Sequence, residues 1–229
     1  IVVPVHNGMS TIGSTLDGYV SYFSRDYGHP FEILVVPNGC TDGTCQILKD
    51  YTSRFPQIVC KKFDAKLGKG GALIEGFRAS RGKLLAFVDA DGATTPQELH
   101  RLINELGDED GVIGSRWLPG SNILVKQTLT RRIASRGFNL TVRLLFGLPF
   151  RDTQCGAKVF RKEAIDNVLP ELQTTDFAFD VELLHRLNKK VYRIREMPTT
   201  WEDREGSTVR MRRAVPKMFL SVVRLRILD

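Results

Sequence analysis

The sequence predicts an α/β fold: a mostly parallel sheet with helices on both faces, followed by a C-terminal basic, amphipathic helical elaboration. Over the first 116 residues, short β-branched or apolar runs alternate with helix-like stretches, the pattern of strands covered by helices on both faces. After Arg116 that alternation stops, and apolar and basic residues interleave instead. A length of 229 residues, with 42% hydrophobic and 26% charged, is ordinary for a globular chain built around a core.

Strands are expected at residues 1–5, 32–36, 57–63, 83–88 and 111–115, where Val, Ile, Leu and Phe concentrate. Between them, Asp42-Gly43-Thr44 can open a helix running to about Arg54, and a Gly-started helix covers residues 68–81. Thr95-Pro96-Gln97-Glu98 supplies a cap residue, proline at the first helical position and a glutamate three residues after the cap, which together make a capping box. Further on, a strand is expected near residues 157–160, a helix around 179–188 and a strand at 191–196. No internal repeat or low-complexity linker appears, so one domain over residues 1–229 is the economical organisation.

The formal charge of +7 is unevenly spread. Residues 123–151 hold six cations and no carboxylate, and so do residues 207–228, which leaves the remainder mildly acidic. Both segments interleave cations with aliphatics, as in Leu144-Leu145-Phe146 and Met218-Phe219-Leu220. That fits a surface helix against anionic lipid headgroups, or equally a helix buried on one side with solvated arginines on the other. Nucleic acid is not expected as a partner, because aromatic stacking platforms are scarce among these cations. Charges interrupt every hydrophobic stretch well short of the roughly 18 residues of a membrane span. The first five residues read as a strand and not as a signal peptide. Cys40, Cys45, Cys60 and Cys155 lack a CxxC spacing and read as reduced structural thiols.

In open parallel sheets, ligands bind beyond the carboxyl ends of the strands, so the chemistry is sought there. Leu84 to Gly92 is a hydrophobic strand that delivers Asp89 and Asp91, one residue apart, to such an end. Hard divalent cations take oxygen ligands, and Mg²⁺ typically takes one or two protein carboxylates with phosphate oxygens and water completing its shell. A bare Asp-x-Asp also suits a simple turn, and Asp-x-Asp-Gly opens the nucleophile loop of haloacid-dehalogenase-like phosphatases, though after their first strand and not the fourth. Gly68-Lys69-Gly70-Gly71 can place helix amides and Lys69 near a phosphate, without the spacing of a P-loop.

In chain order these stretches resemble family 2 glycosyltransferases of the GT-A (Rossmann-like) fold, and more narrowly the dolichyl-phosphate (polyprenyl-phosphate) glucosyltransferases and their mannosyl relatives. The resemblance rests on Val3-Pro4-x-x-Asn7, Gly68-Lys69-Gly70-Gly71-Ala72, Asp89-Ala90-Asp91-Gly92-Ala93-Thr94 and Gly114-Ser115-Arg116. It continues through Arg151 to Lys158, Phe179-Asp180-Val181-Glu182-Leu183-Leu184 and the polar run from Trp201 to Ser207. It implies inverting transfer of a hexose from a nucleotide sugar to a polyprenyl or dolichyl phosphate. Residues 1–116 would then bind the donor and residues 117–229 the acceptor.

By this resemblance, Asp89 and Asp91 would hold Mg²⁺ or Mn²⁺ on the donor diphosphate, with Pro4, His6, Asn7, Asn38, Lys69 and Ala90 lining the donor site. Arg116, Arg136 and Arg204 would gather the phosphate charges, and Arg131, Arg132, Gln154 and Ser207 would meet the acceptor. A phosphate acceptor is already anionic and needs no strong base; a sugar hydroxyl would need Asp180 or Glu182. If no base is needed, this acidic pair would orient an arginine. Where the family usually has Tyr and Glu after the first strand and Asp-Asp after the second, this chain has His6, Gly8 and Pro37-Asn38. The Asn38 amide could still serve a base, since it both donates and accepts. The Phe179 to Leu184 run favours UDP-glucose over GDP-mannose. A lipid acceptor implies a cytoplasmic enzyme held peripherally on the cytoplasmic face of a membrane. A transferase acting on a glycan hydroxyl, and a membrane-surface module without turnover, are the alternatives.

Overall fold

A computed structural model describes residues 1–124, 129–202 and 211–228, giving the backbone path alone for residues 129–134, 211–216 and 228. The elements are β1 (Val2–Val5), α1 (Ile12–Asp26), β2 (Ile33–Pro37), α2 (Thr44–Arg54), β3 (Ile58–Cys60), α3 (Gly68–Ala79), β4 (Leu84–Phe87), α4 (Pro96–Asn104) and β5 (Gly111–Ser115). There follow β6 (Asn122–Ile123), α5 (Leu129–Phe146), β7 (Lys158–Arg161), α6 (Lys162–Val168), α7 (Phe179–Lys189), β8 (Ile194–Pro198), β9 (Thr200–Trp201) and α8 (Met211–Leu228).

Seven strands form one sheet in the order β3-β2-β1-β4-β7-β5-β8, parallel except for β7, which runs antiparallel to both β4 and β5. Every residue of β2 and of β5 is buried, as expected of strands covered on both faces. Successive strand residues feed opposite cores: Val2, Leu34 and Val36 pack with α3 and α7, while Val3, Ile33 and Val35 pack with α1, α2 and α4.

The structure adds α1, a helix not among the elements expected from sequence. Its Ile12, Leu16, Tyr19, Val20 and Phe23 recur at helical spacing and are buried. Phe23 alone, at 2% exposure, contributes about 2–3 kcal/mol of burial and packs beside Tyr19, Tyr22, Tyr27, Phe31 and His100. The expected capping box of α4 forms by half. Thr95 Oγ1 accepts from the Glu98 N–H at 3.2 Å, but the buried Glu98 carboxylate turns to Arg101, Thr199 and Thr200. The strand expected at 191–196 starts at Ile194, because Val191 adopts φ 63° in the turn that closes α7.

Within α5, Phe138, Val142 and Phe146 are buried while Arg136, Leu140, Arg143 and Leu144 face outward. In α8, Val222 and Leu225 are buried and Phe219, Leu220 and Ile227 are exposed. The two helices pack against each other, so the described parts of the two basic segments are neighbours. No helix among the described residues is long and apolar enough to cross a membrane.

Candidate active site

Connections diverge at β1, which has β2 on one side and β4 on the other, and the loops leaving the carboxyl ends of β1 and β4 therefore open a crevice. The β4 loop carries Asp89, Ala90 and Asp91. It is pinned from below by α1: Thr15 Oγ1 donates to the Ala90 carbonyl at 3.1 Å and the Tyr19 hydroxyl to the Thr94 carbonyl at 3.0 Å. Asp91 Oδ1 accepts from the Ala93 N–H, and Gly92 supplies the left-handed φ of 71° that turns the loop. The helix missing from the sequence-based expectation is thus what holds the carboxylate pair in place.

Asp89 is the open end of a chain of alternating charges. Lys69 Nζ lies 3.0 Å from Asp89 Oδ1 and 3.4 Å from Asp180 Oδ2, and Lys158 Nζ lies 2.6 Å from Asp180 Oδ1 and donates to the Cys155 carbonyl. Lys158 is fully buried in β7, and the Phe87 ring lies beside both ammoniums. Burial opposes the Asp89 charge, but Lys69 outweighs it and holds that carboxyl below the ordinary range. For Asp91, burial and then the adjacent Asp89 charge push the carboxyl above it. Gly156 makes room for Asp89, since a Cβ there would lie 2.0 Å from Oδ2.

Two hard carboxylates that repel each other at an accessible loop suit a divalent cation such as Mg²⁺ or Mn²⁺. Among the described residues no group of three or more His, Cys, Asp or Glu forms a cage, so ligand oxygens would complete the shell.

Arg116, at the end of β5, is held in a bidentate pair with buried Asp152, at 2.7 Å from Nε and 2.9 Å from Nη2. Burial opposes the Asp152 charge and Arg116 more than offsets it, so this carboxyl also lies below its ordinary value. The Arg116 guanidinium stacks near Trp117 and Trp201, and Arg136 lies 5.0 Å from the Trp117 ring centroid.

Several expected roles change once the partners are visible. Asn38 does not face a base: it is buried, its amide donates to the Val5 carbonyl, and its Oδ1 accepts from the Leu67 and Gly68 N–H groups. Three N–H groups of the phosphate cradle expected at α3 are thereby taken, because the Gly71 N–H is also bonded, to the Thr175 carbonyl. The glycines serve close packing instead; a Cβ on Gly70 would lie 2.3 Å from Thr174 O. Lys69 accordingly points into the carboxylate chain. Asp180 orients two lysines and not an arginine, and Glu182 accepts from the Gln173 and Thr174 N–H groups, so neither is a free base. Gln154 donates to the Phe177 carbonyl, and Pro4 is buried within β1.

His6 and Asn7 do border the crevice. His6 bridges the Asn38 carbonyl and Lys66, and Asn7, at φ 54°, exchanges hydrogen bonds with Thr41. Arg204 and Ser207 lie outside the described residues, as do the side chains of Arg131 and Arg132. Sequence reasoning overlooked Asp152, Lys158 and Trp117 as site residues, although Asp152 and Lys158 fall inside the Arg151 to Lys158 run already singled out.

The family model for glycosyl transferase family 2 matches residues 1–169. A dolichyl-phosphate beta-glucosyltransferase of Dictyostelium discoideum is 32% identical over 99% of this chain and 73% of its own length. The enzyme of that name from Saccharomyces cerevisiae is likewise 32% identical, with the same coverage of both chains. Among solved structures, glucosyl-3-phosphoglycerate synthase from Mycobacterium tuberculosis with Mn²⁺, UDP-glucose and glycerol 3-phosphate superposes with a TM-score of 0.70 at 18% identity, covering 98% of this chain and 78% of that one. A Pyrobaculum calidifontis mannosyltransferase with GDP-mannose and Mn²⁺ gives 0.62 at 18% identity, covering 97% and 63%. These structural likenesses establish a common GT-A fold.

Proposed function

Since the chain belongs to glycosyl transferase family 2 and is a glycosyltransferase, we propose that it transfers glucose from UDP-glucose, with inversion, to the phosphate of a dolichyl or other polyprenyl lipid at a membrane surface. The observation that carries this reading is the commitment of both candidate bases: Asp180 to two ammoniums and Glu182 to two backbone N–H groups. A carboxylate so paired is a poor proton acceptor, so an acceptor that brings its own negative charge suits the site better than a sugar hydroxyl. The names of the relatives favour glucose and a dolichyl phosphate.

In this reaction a phosphate oxygen of the acceptor attacks the anomeric carbon as its bond to the nucleoside diphosphate breaks, and the anomeric configuration inverts. Asp89 and Asp91 would hold Mg²⁺ or Mn²⁺, which when bound neutralises charge on the departing diphosphate. The chain from Lys158 to Asp89 keeps the Asp89 carboxylate ionised and aimed into the crevice. Arg116, locked by Asp152, offers a fixed positive field to the phosphates at no cost in reorganisation. Exposed Leu140 and Leu144 on α5 and Phe219, Leu220 and Ile227 on α8, interspersed with Arg143, Lys217, Arg224 and Arg226, form the face that would rest on anionic lipid.

The test is transfer from radiolabelled UDP-glucose or GDP-mannose to a polyprenyl phosphate or a simple saccharide, with and without Mn²⁺. Metal-dependent glucosylation of the lipid phosphate, lost in Asp91→Asn, is expected; equal use of the saccharide would overturn the acceptor assignment. Sedimentation with phosphatidylserine vesicles checks the membrane face, which is wrong if Leu144→Asp with Leu220→Asp binds as well as the parent.

A further inference from the structure

Helix α8 reaches the active site through a polar contact. Its inward side is an apolar stripe, Met218, Val222 and Leu225, packed in the same core as Ala178 and Phe179 at the start of α7. Ser221 falls within that stripe, three residues after Met218 and four before Leu225. Its hydroxyl donates to Asp176 Oδ2 at 2.5 Å, across 45 residues of chain, and both side chains are half-buried. A hydroxyl held on a carboxylate is among the stronger hydrogen bonds a surface helix can make to the body of a protein. Asp176 in turn serves α7. Its Oδ1 accepts from the Ala178 N–H at 2.8 Å, and its carbonyl accepts from the Phe179 N–H, an Asx turn that leads into the helix carrying Asp180.

The same segment is packed against the start of α3. The Thr175 carbonyl accepts from the Gly71 N–H at 3.2 Å, and a Cβ on Gly68 or Gly70 would lie 2.3 Å from the carbonyl oxygen of Thr175 or Thr174 respectively. Lys69 leaves the chain between those two glycines. Ser221 therefore connects to Asp89 through contacts already in place. It holds Asp176, Asp176 sets the start of α7, Asp180 on α7 lies 3.4 Å from Lys69 Nζ, and Lys69 Nζ lies 3.0 Å from Asp89 Oδ1. With so little space between residues 174–175 and α3, a shift at the start of α7 is passed on to Lys69 and not absorbed.

We infer that Ser221 and Asp176 are positioning residues for the cation site, through which the seat of α8 governs the alignment of Asp89. This rests on the reading that Asp89 and Asp91 hold the divalent cation. Removing the Ser221 hydroxyl releases the start of α7, so the fraction of molecules with Asp89 aligned falls, and the affinity for the cation falls by the same factor. Because α8 is also the helix proposed to rest on lipid, the linkage ties that face of the protein to the donor crevice.

Mn²⁺ binding to the intact protein in the presence of UDP, followed by electron paramagnetic resonance, is the first measurement. Ser221→Ala should weaken it by about threefold or more, and Ser221→Thr, which keeps the hydroxyl, should restore it. Asp176→Ala removes the turn as well and should weaken it further. Amide hydrogen exchange by mass spectrometry, without metal or nucleotide, should rise over residues 68–71 and 176–182 of Ser221→Ala and stay at the parent's level over β1 and β2. Unchanged exchange in those two segments, or raised exchange with Mn²⁺ affinity equal to the parent's, overturns the inference. Mn²⁺ binding that is absent from the parent, or that survives in Asp91→Asn, would instead sink the cation reading, with the linkage between α8 and α3 still decided by the exchange.

Discussion

Gly156→Ala isolates the contribution of Asp89 placement without touching Asp89 itself. The added Cβ would lie 2.0 Å from Asp89 Oδ2 and 2.6 Å from its Cγ. Ordinary carbon contacts are about 3.5 Å, so the carboxylate would have to retreat by more than 1 Å. It can do so, because the Asp89 side chain is 34% exposed and Gly156 has no left-handed φ that alanine would resist. Retreat breaks the 3.0 Å contact with Lys69 and misdirects a carboxylate proposed to hold the cation. A misplacement of about 1 Å at a reacting centre costs about 10²-fold in rate, whereas the overpacking costs about 1–3 kcal/mol in stability. Paired measurements of kcat with UDP-glucose and Mn²⁺, of Mn²⁺ affinity by electron paramagnetic resonance, and of urea stability would show both. A folded variant with activity within about twofold of the parent would refute the argued role of Gly156 and of Asp89 placement.

Other consequences are as direct. Asp180→Asn leaves Lys158 buried without its carboxylate and should cost about 3–5 kcal/mol in urea unfolding; normal stability with a kcat loss alone would return Asp180 to the role of base. Asn38→Ala strips the acceptor from the Leu67 and Gly68 N–H groups, and should cost about 1–3 kcal/mol while leaving the preference between UDP and GDP unchanged in competition binding. Asp152 has a folded pKa below its unfolded value near 3.9, so its contribution is complete above that value and is lost as pH falls through the folded one. Acid titration of stability should therefore lose this contribution as pH falls below about 4 in the parent, and be shallower in Asp152→Asn. Cys155 is fully buried and burial pushes its thiol up to about 11, so iodoacetamide at pH 8 should leave it unmodified in the folded protein, by peptide mass mapping.

Much of the fold was legible because its signals are local. The runs at β1, β2, β4 and β5 are continuous apolar stretches, and the Thr95-Pro96 start of α4 is a cap that depends on neighbouring residues only. The Asp89-Ala90-Asp91 pair could be placed at a strand end from its hydrophobic lead-in, and Arg116 from its position after β5. Other features are not local. Strand β7, Lys158-Val159-Phe160-Arg161, carries nothing in its own residues that marks its direction, which is set by partners from distant parts of the chain. Helix α1 was visible in principle, through Ile12, Leu16, Tyr19 and Phe23, and the polar residues between them obscured it.

By itself, then, the sequence determined the class of fold and the position of two carboxylates after β4 and of an arginine after β5, because periodicity and motif are properties of adjacent residues. The tertiary structure alone decided what each polar group does. Asn38 is spent on backbone N–H groups, Asp180 on two lysines, Glu182 on a loop and the glycines of α3 on close packing, while Asp152 locks Arg116 and Gly156 makes room for Asp89. The physical reason is that a buried polar group must find its partner wherever the fold brings one, and most of those partners lie tens of residues away along the chain.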